Sequence, residues 1–145
     1  MKAKAYIEIT IDTDNPIQYG GPRAASGNLS HFNPKINAWE SKIAIGNDVS
    51  KTNADVLSVT AHELGHLLAR MFHLPAEQNA PENNPMVRLG FIAPDNSLKV
   101  AQESEAWEVA ELMGIPIDAK TREFGLRSYQ HPGMTWAQQG KITRS

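Results

Sequence analysis

Cysteine is absent from this chain. With it go disulfides and thiolate metal sites, so any metal must be held by the nitrogen and oxygen donors of His, Asp and Glu. Long apolar runs are missing too. No window approaches the roughly 18 consecutive apolar residues of a membrane-spanning helix. The opening stretch, MKAKAYIEITID, alternates charged with apolar side chains where a secretory leader would be continuously apolar. A cytoplasmic protein with no membrane partner is the expectation. An excess of one charge is also lacking: 14 Lys and Arg stand against 16 Asp and Glu, a net charge of −2. Without a basic cluster or aromatic-basic alternation there is no polyelectrolyte face, which argues against nucleic acid as a partner. Aromatic residues make up only 7%, and the Trp and Phe among them are most simply walls of a core or cleft.

What is present is the composition of a soluble globular chain, 41% hydrophobic and 21% charged over 145 residues. That length matches one domain and buries about two-thirds of the surface the unfolded chain exposes. A single domain over residues 1–145 is expected, with about the last 15 residues as a loosely ordered tail.

Along the chain, Ala5 to Asp12 places Tyr6, Glu8 and Thr10 on one face and Ile7, Ile9 and Ile11 on the other, the period of a half-buried strand. Residues 14–34 are rich in Gly, Pro, Asn and Ser, which predicts a long loop with at most one helical turn. Ser41 to Asp48 reads as a second short strand. A helix follows, capped by Thr52 or Asn53, with Asp55 complementing its positive end, and running to about His73 ahead of Pro75. Residues 75–96 contain four prolines and form an irregular connection. A second helix spans about Leu98 to Met113 and stops at Gly114. The segment from Arg122 to the end is expected to hold one short helix.

The first helix carries HELGH, His62 to His66. Residues four apart share a helix face about 6 Å apart along the axis, so two imidazoles from successive turns can converge on one ion. Glu63 lies about 100° round from His62, where its carboxylate can reach a water on that ion without becoming a ligand. The chemistry that needs this set is metal-assisted hydrolysis, with the ion activating water and the carboxylate taking its proton. Five His and ten Glu would produce such a pattern by chance in about one chain in a hundred. The flanks weigh further against chance, since Val59, Thr60, Leu64, Gly65, Leu67 and Leu68 mark a helix apolar nearly all round, and therefore buried. Buried histidines and a buried glutamate need partners, which a metal supplies.

A catalytic zinc takes three protein ligands and keeps one position open. The metzincin extension of the motif would need Gly at 69 and His at 72, but Ala69 and Phe72 stand there. His73 is about 10 Å along the axis from His66, too far to share an ion, and suits a helix end. The second helix offers Glu103, Glu105, Glu108 and Glu111. On a helical wheel Glu103 falls inside the apolar arc of Val100, Ala106, Trp107 and Ala110. Glu105 falls at its border, and Glu108 and Glu111 turn toward solvent. A carboxylate in the middle of a core-facing stripe is costly unless a cation receives it, which selects Glu103. Ala106 and Ala110 on the same face allow the two helices a close approach.

HELGH followed on a second helix by ESEA resembles the gluzincin zinc metallopeptidases, and more narrowly is similar to the small ImmA/IrrE-type peptidases, over about residues 41–116. Trp107 stands where members of that family usually carry Asn. The resemblance implies a zincin-like fold, one Zn2+ held by His62, His66 and Glu103, and Glu63 as general base. It also implies a short edge strand pairing with substrate backbone, a role that falls here to Ile43, Ala44 and Ile45. A donor for the oxyanion would complete the site. Tyr129 and His131 are the first candidates, ahead of Tyr19, His31 and Arg88, none with a spacing argument.

The expectation is an α+β protein, a small, mainly antiparallel sheet packed on a zinc helix and a glutamate helix, that hydrolyses peptide bonds in a peptide or protein substrate. A non-catalytic zinc-binding regulatory or interaction module is the alternative of a different class. Oligomeric state has no signature in the sequence.

Overall fold

The computed structural model describes residues 2–17, 26–47, 49 and 54–130. Three strands come first, β1 (Ala5–Ile11), β2 (Ser26–Asn33) and β3 (Ala38–Ile45). The long helix α1 (Val56–Met71) follows. Then come α2 (Pro75–Gln78), a 3-10 turn (Pro81–Asn83) and α3 (Pro85–Arg88). Two longer helices, α4 (Asn96–Leu112) and α5 (Ala119–Gln130), end the described chain. The architecture is α+β, as expected from the sequence.

The sheet differs from expectation in three respects. Its order is β1-β3-β2, with β1 parallel to β3 and β2 antiparallel to it, so it is mixed and not mainly antiparallel. The strand expected over Ser41 to Asp48, observed as β3 (Ala38–Ile45), is its centre. Ile43, Ala44 and Ile45 are paired on both sides, with Ile9, Thr10 and Ile11 and with Asn28, Gly27 and Ser26. They cannot serve as a substrate-pairing edge, because their backbone groups are already bonded. Finally, β2 lies where a loop was expected. Its composition, SGNLSHFN, has little intrinsic strand preference, and pairing with β3 overrides it. The hairpin turn is closed by Asn37, at φ 50°, a left-handed conformation that Asn tolerates.

The helix layer covers the face of the sheet that carries Ser41, Ile43 and Ile45. Ile43 and Ile45 are each 1% exposed and cluster with Val49, Ala54, Val59 and Phe124. β1 overhangs this layer. Its Ile7, Ile9 and Ile11 share that face through their register with β3, yet remain 42–51% exposed, so the expected burial of one face of β1 is not realised.

Helix α1 begins two or three residues later than expected. Asp55 is the cap, its carboxylate accepting from the Ser58 N–H at 3.0 Å and from the Ser58 hydroxyl at 2.6 Å. The same corner anchors α5: Thr121 Oγ1 accepts from the Asp55 N–H, and the Asp118 N–H donates to Ser58 Oγ, both at 2.9 Å. At its other end α1 stops at Met71. His73 adopts φ 53°, and the Leu74 N–H closes back on the Ala69 carbonyl at 2.9 Å, a capped C-terminus.

Helices α1 and α4 cross at Gly65. A Cβ there would lie 2.2 Å from the Ala106 carbonyl oxygen, so only glycine permits this approach. Gly65→Ala would gain up to about 1 kcal/mol in helix propensity, whereas overpacking at a rigid backbone contact costs about 1–3 kcal/mol or more. Strain wins. The variant should unfold at lower urea concentration than the parent; an unchanged or higher midpoint would contradict the close contact.

Candidate metal centre

Helix α1 presents His62, Glu63 and His66 inward, each 6% exposed. Their ligand atoms lie within 4.8 Å of one another, so this group could hold a metal ion. Helix α4 brings Glu103, 3% exposed, against the same two imidazoles. Its Oε1 lies 3.1 Å from His62 Nε2, and its Oε2 lies 2.7 Å from His66 Nε2. Donors of a tetrahedral ion with bonds near 2.0–2.1 Å stand about 3.3 Å apart. The carboxylate therefore already sits near ligand-to-ligand spacing from both rings. Of the four glutamates on α4 considered from the sequence, Glu103 alone is buried. Glu105 has a different task, accepting the Ala76 and Glu77 N–H groups at 3.0 and 2.9 Å, while Glu108 and Glu111 are exposed.

Glu105 thereby fixes α2, whose Glu77 is the residue that sequence reasoning missed. Glu77 Oε1 lies 2.8 Å from His66 Nδ1, the ring nitrogen turned away from Glu103. Its Oε2 accepts from Gln102 Nε2 at 2.7 Å and lies 3.5 Å from Arg70 Nε. A carboxylate behind a ligating histidine sets its tautomer and ring direction and raises its basicity. No periodicity marks Glu77 in advance, because it sits in a four-residue helix of the proline-rich connection. Trp107 was also missed as a site residue. Its indole stacks on His62 at 4.1 Å between centroids and an interplanar angle of 24°.

The electrostatics suit a cation. Three buried carboxylates, Glu63, Glu77 and Glu103, lie in this site; Arg70 forms an ion pair with Glu77, and its charge also bears on Glu63. Burial alone would make His66 harder to protonate, but the Glu103 charge and its hydrogen bonds to Glu103 and Glu77 hold its pKa well above the usual histidine value. Burial likewise pushes Glu103 up, and His66 and His62 outweigh it, holding the carboxyl well below its usual range. Glu63 is raised, chiefly by burial. Two buried polar atoms have no hydrogen-bond partner among the described residues: His62 Nδ1 and Glu63 Oε2. A carboxylate oxygen buried without a donor is costly, and water on an ion between the imidazoles would supply one. The donor set therefore fits a metal.

Tyr129, from α5, reaches the same place. The charge of Glu103, burial and the charge of Glu63 hold the pKa of its hydroxyl well above the usual value, so it remains a donor. The Lys99 ammonium lies 5.6 Å from the centre of its ring. His131 and Tyr19 lie outside the described residues. His31 is on β2, exposed and paired with Glu40 at 3.2 Å, and Arg88 ends α3. The Asn28 amide donates to the Glu63 carbonyl at 2.7 Å, tying β2 to the site helix. Among the described residues no helix is long and apolar enough to cross a membrane.

No family model, curated protein or solved structure matches this chain.

Proposed function

We propose that this protein is a zinc-dependent metallopeptidase of zincin-like build, with His62, His66 and Glu103 as ligands and Glu63 as general base. One observation carries the reading: a buried carboxylate bridges two histidines four residues apart, while the adjacent buried Glu63 keeps an oxygen with no donor. Two imidazoles and a carboxylate are a donor set that suits zinc, with one position left for water or substrate. When bound, such an ion polarises a carbonyl and lowers the pKa of its water toward neutrality.

The chain supplies the rest. Glu63, its pKa raised chiefly by burial, stands beside the ligand histidines where a general base is needed. It takes the proton from the attacking water and returns it to the leaving amine. Tyr129 donates toward the oxygen that gains charge as the carbonyl carbon becomes tetrahedral. Glu77 holds His66 in position.

Substrate pairing falls to β2 in place of β3. The Trp39 N–H donates to the Lys4 carbonyl and the Asp12 N–H to the Ile45 carbonyl, so odd-numbered β3 residues bond to β1 and even-numbered ones to β2. In β2 the odd-numbered residues then face β3, and Asn28 and Ser30 turn their backbone groups to the open edge. That edge is tied to Glu63, and an extended peptide can add to it as a strand.

Purified without a histidine tag, the protein should contain one zinc per chain. It should cleave members of a peptide library, lose this activity to a chelator and regain it with zinc. Failure to retain added zinc, or cleavage indifferent to chelation, would sink the proposal.

A further inference from the structure

We infer that β1 is the seam between two copies of this chain, joined antiparallel about Ile9 into one six-stranded sheet. Among the described residues strand β1 is an open edge seven residues long, and from Ala5 to Ile11 it contains no Lys or Pro. Those are the residues that commonly protect an exposed edge from pairing. Its backbone is set for a partner. Lys4 and Asp12 both bond to β3, so the even-numbered residues face β3, and Ile7, Ile9 and Ile11 turn their N–H and C=O groups outward.

The same three isoleucines carry an apolar stripe that the helix layer leaves 42–51% exposed. A two-fold axis through Ile9 and normal to the sheet sets Ile9 opposite Ile9 and Ile7 opposite Ile11 of the second copy. All three then make hydrogen-bonded pairs. Six isoleucines form one patch on the helix side of the joined sheet, between the two helix layers.

Charge selects this register. Centring on Glu8 would oppose two carboxylates at the axis, a destabilising cross-strand pair. Centring on Ile9 sets Glu8 opposite Thr10 and brings Lys4 of each copy diagonally across from Asp12 of the other, the last residue held along the strand by its bond to Ile45. A second copy is therefore an occupant whose charges complement this edge, and it leaves β2 free at both outer ends.

The chain contains no cysteine, so a single introduced one reports the seam unambiguously. Residues directly opposite in a hydrogen-bonded antiparallel pair have Cα atoms about 5.5 Å apart, within disulfide reach. The two Glu8 positions would be offset by two residues along the strands, about 8 Å apart and out of reach. In the full chain under mild oxidation, Ile9→Cys should form a disulfide dimer and Glu8→Cys should not. Sedimentation of the parent should show a monomer–dimer equilibrium. Ile9→Lys, at an exposed position, should raise its dissociation constant by roughly 100-fold, because the burial of two isoleucines is lost and two ammonium groups meet at the axis. A parent that stays monomeric at all concentrations, crosslinking at Glu8→Cys with none at Ile9→Cys, or a dimer indifferent to Ile9→Lys would each overturn the inference.

Discussion

Under the proposed peptidase reading, Glu63→Gln should produce a protein that folds, still binds zinc and cleaves peptide about 10²–10⁴-fold more slowly, the range expected when a positioned general base is lost. That corresponds to about 3–5 kcal/mol of barrier. The separation of binding from turnover follows from geometry. Glu103 approaches both Nε2 atoms, whereas a Glu63 oxygen is left without any donor. Because burial raises the Glu63 pKa, its ionised form burdens the fold as the pH rises, and a neutral amide removes that burden. The metal-free variant should therefore melt at least as high as the metal-free parent at neutral pH. Turnover by Glu63→Gln within a factor of a few of the parent would remove Glu63 from the base role, and lost zinc would make it a ligand.

Glu103→Ala should strike metal affinity first. It removes one of three proposed ligands, and zinc affinity measured against a competing chelator should fall more than the roughly 10–100-fold typical of losing an outer partner. Glu77→Ala supplies the comparison. It leaves all three ligands and removes only the carboxylate behind His66, so its loss should stay within that range and activity should return at saturating zinc. Breaking a buried ion pair can also cost about 3–5 kcal/mol of stability. Glu103→Gln, which keeps the side chain's shape, and circular dichroism of each variant separate a damaged site from a damaged fold. Full zinc affinity in Glu103→Ala would refute the assignment of the third ligand.

The grouping of candidate metal ligands was legible in the sequence because it is local. His62, Glu63 and His66 share one helix, and helical periodicity alone distinguishes Glu103 from Glu105, Glu108 and Glu111. Apolar neighbours in the arc were enough to predict that Glu103 is buried. The sheet was less legible. The edge role of Ile43, Ala44 and Ile45 came from the resemblance and from their place ahead of the site helix; only the order β1-β3-β2 reveals that their strand is central, and chain order does not state sheet order. The polar inner side of β2 concealed it, since Asn28 and Ser30 satisfy hydrogen bonds to Glu63 and Ser41 where a core strand would carry valine or isoleucine. Glu77 was hidden for a further reason. Its partner His66 is eleven residues away, and the route between them passes through a turn whose path depends on Glu105 of a later helix. Tyr129 came without a spacing argument. It reaches Glu103 because the Asp55, Ser58, Asp118 and Thr121 bonds fix where α5 begins.

Trp107 turns the site into an optical probe. Its indole, 2% exposed, lies flat on the His62 imidazole, so its emission reports on the electronic state of one specific ring. The chain has three tryptophans; replacing Trp39 and Trp136 by Phe would leave this one as the only source of indole light. Zinc, which has no unpaired electrons, would alter the emission by displacing charge and protons around the imidazole. Cobalt(II), with visible absorption of its own, would quench it at a few ångströms' range. A titration followed by fluorescence alone could then distinguish loading of this centre from metal taken up by surface carboxylates.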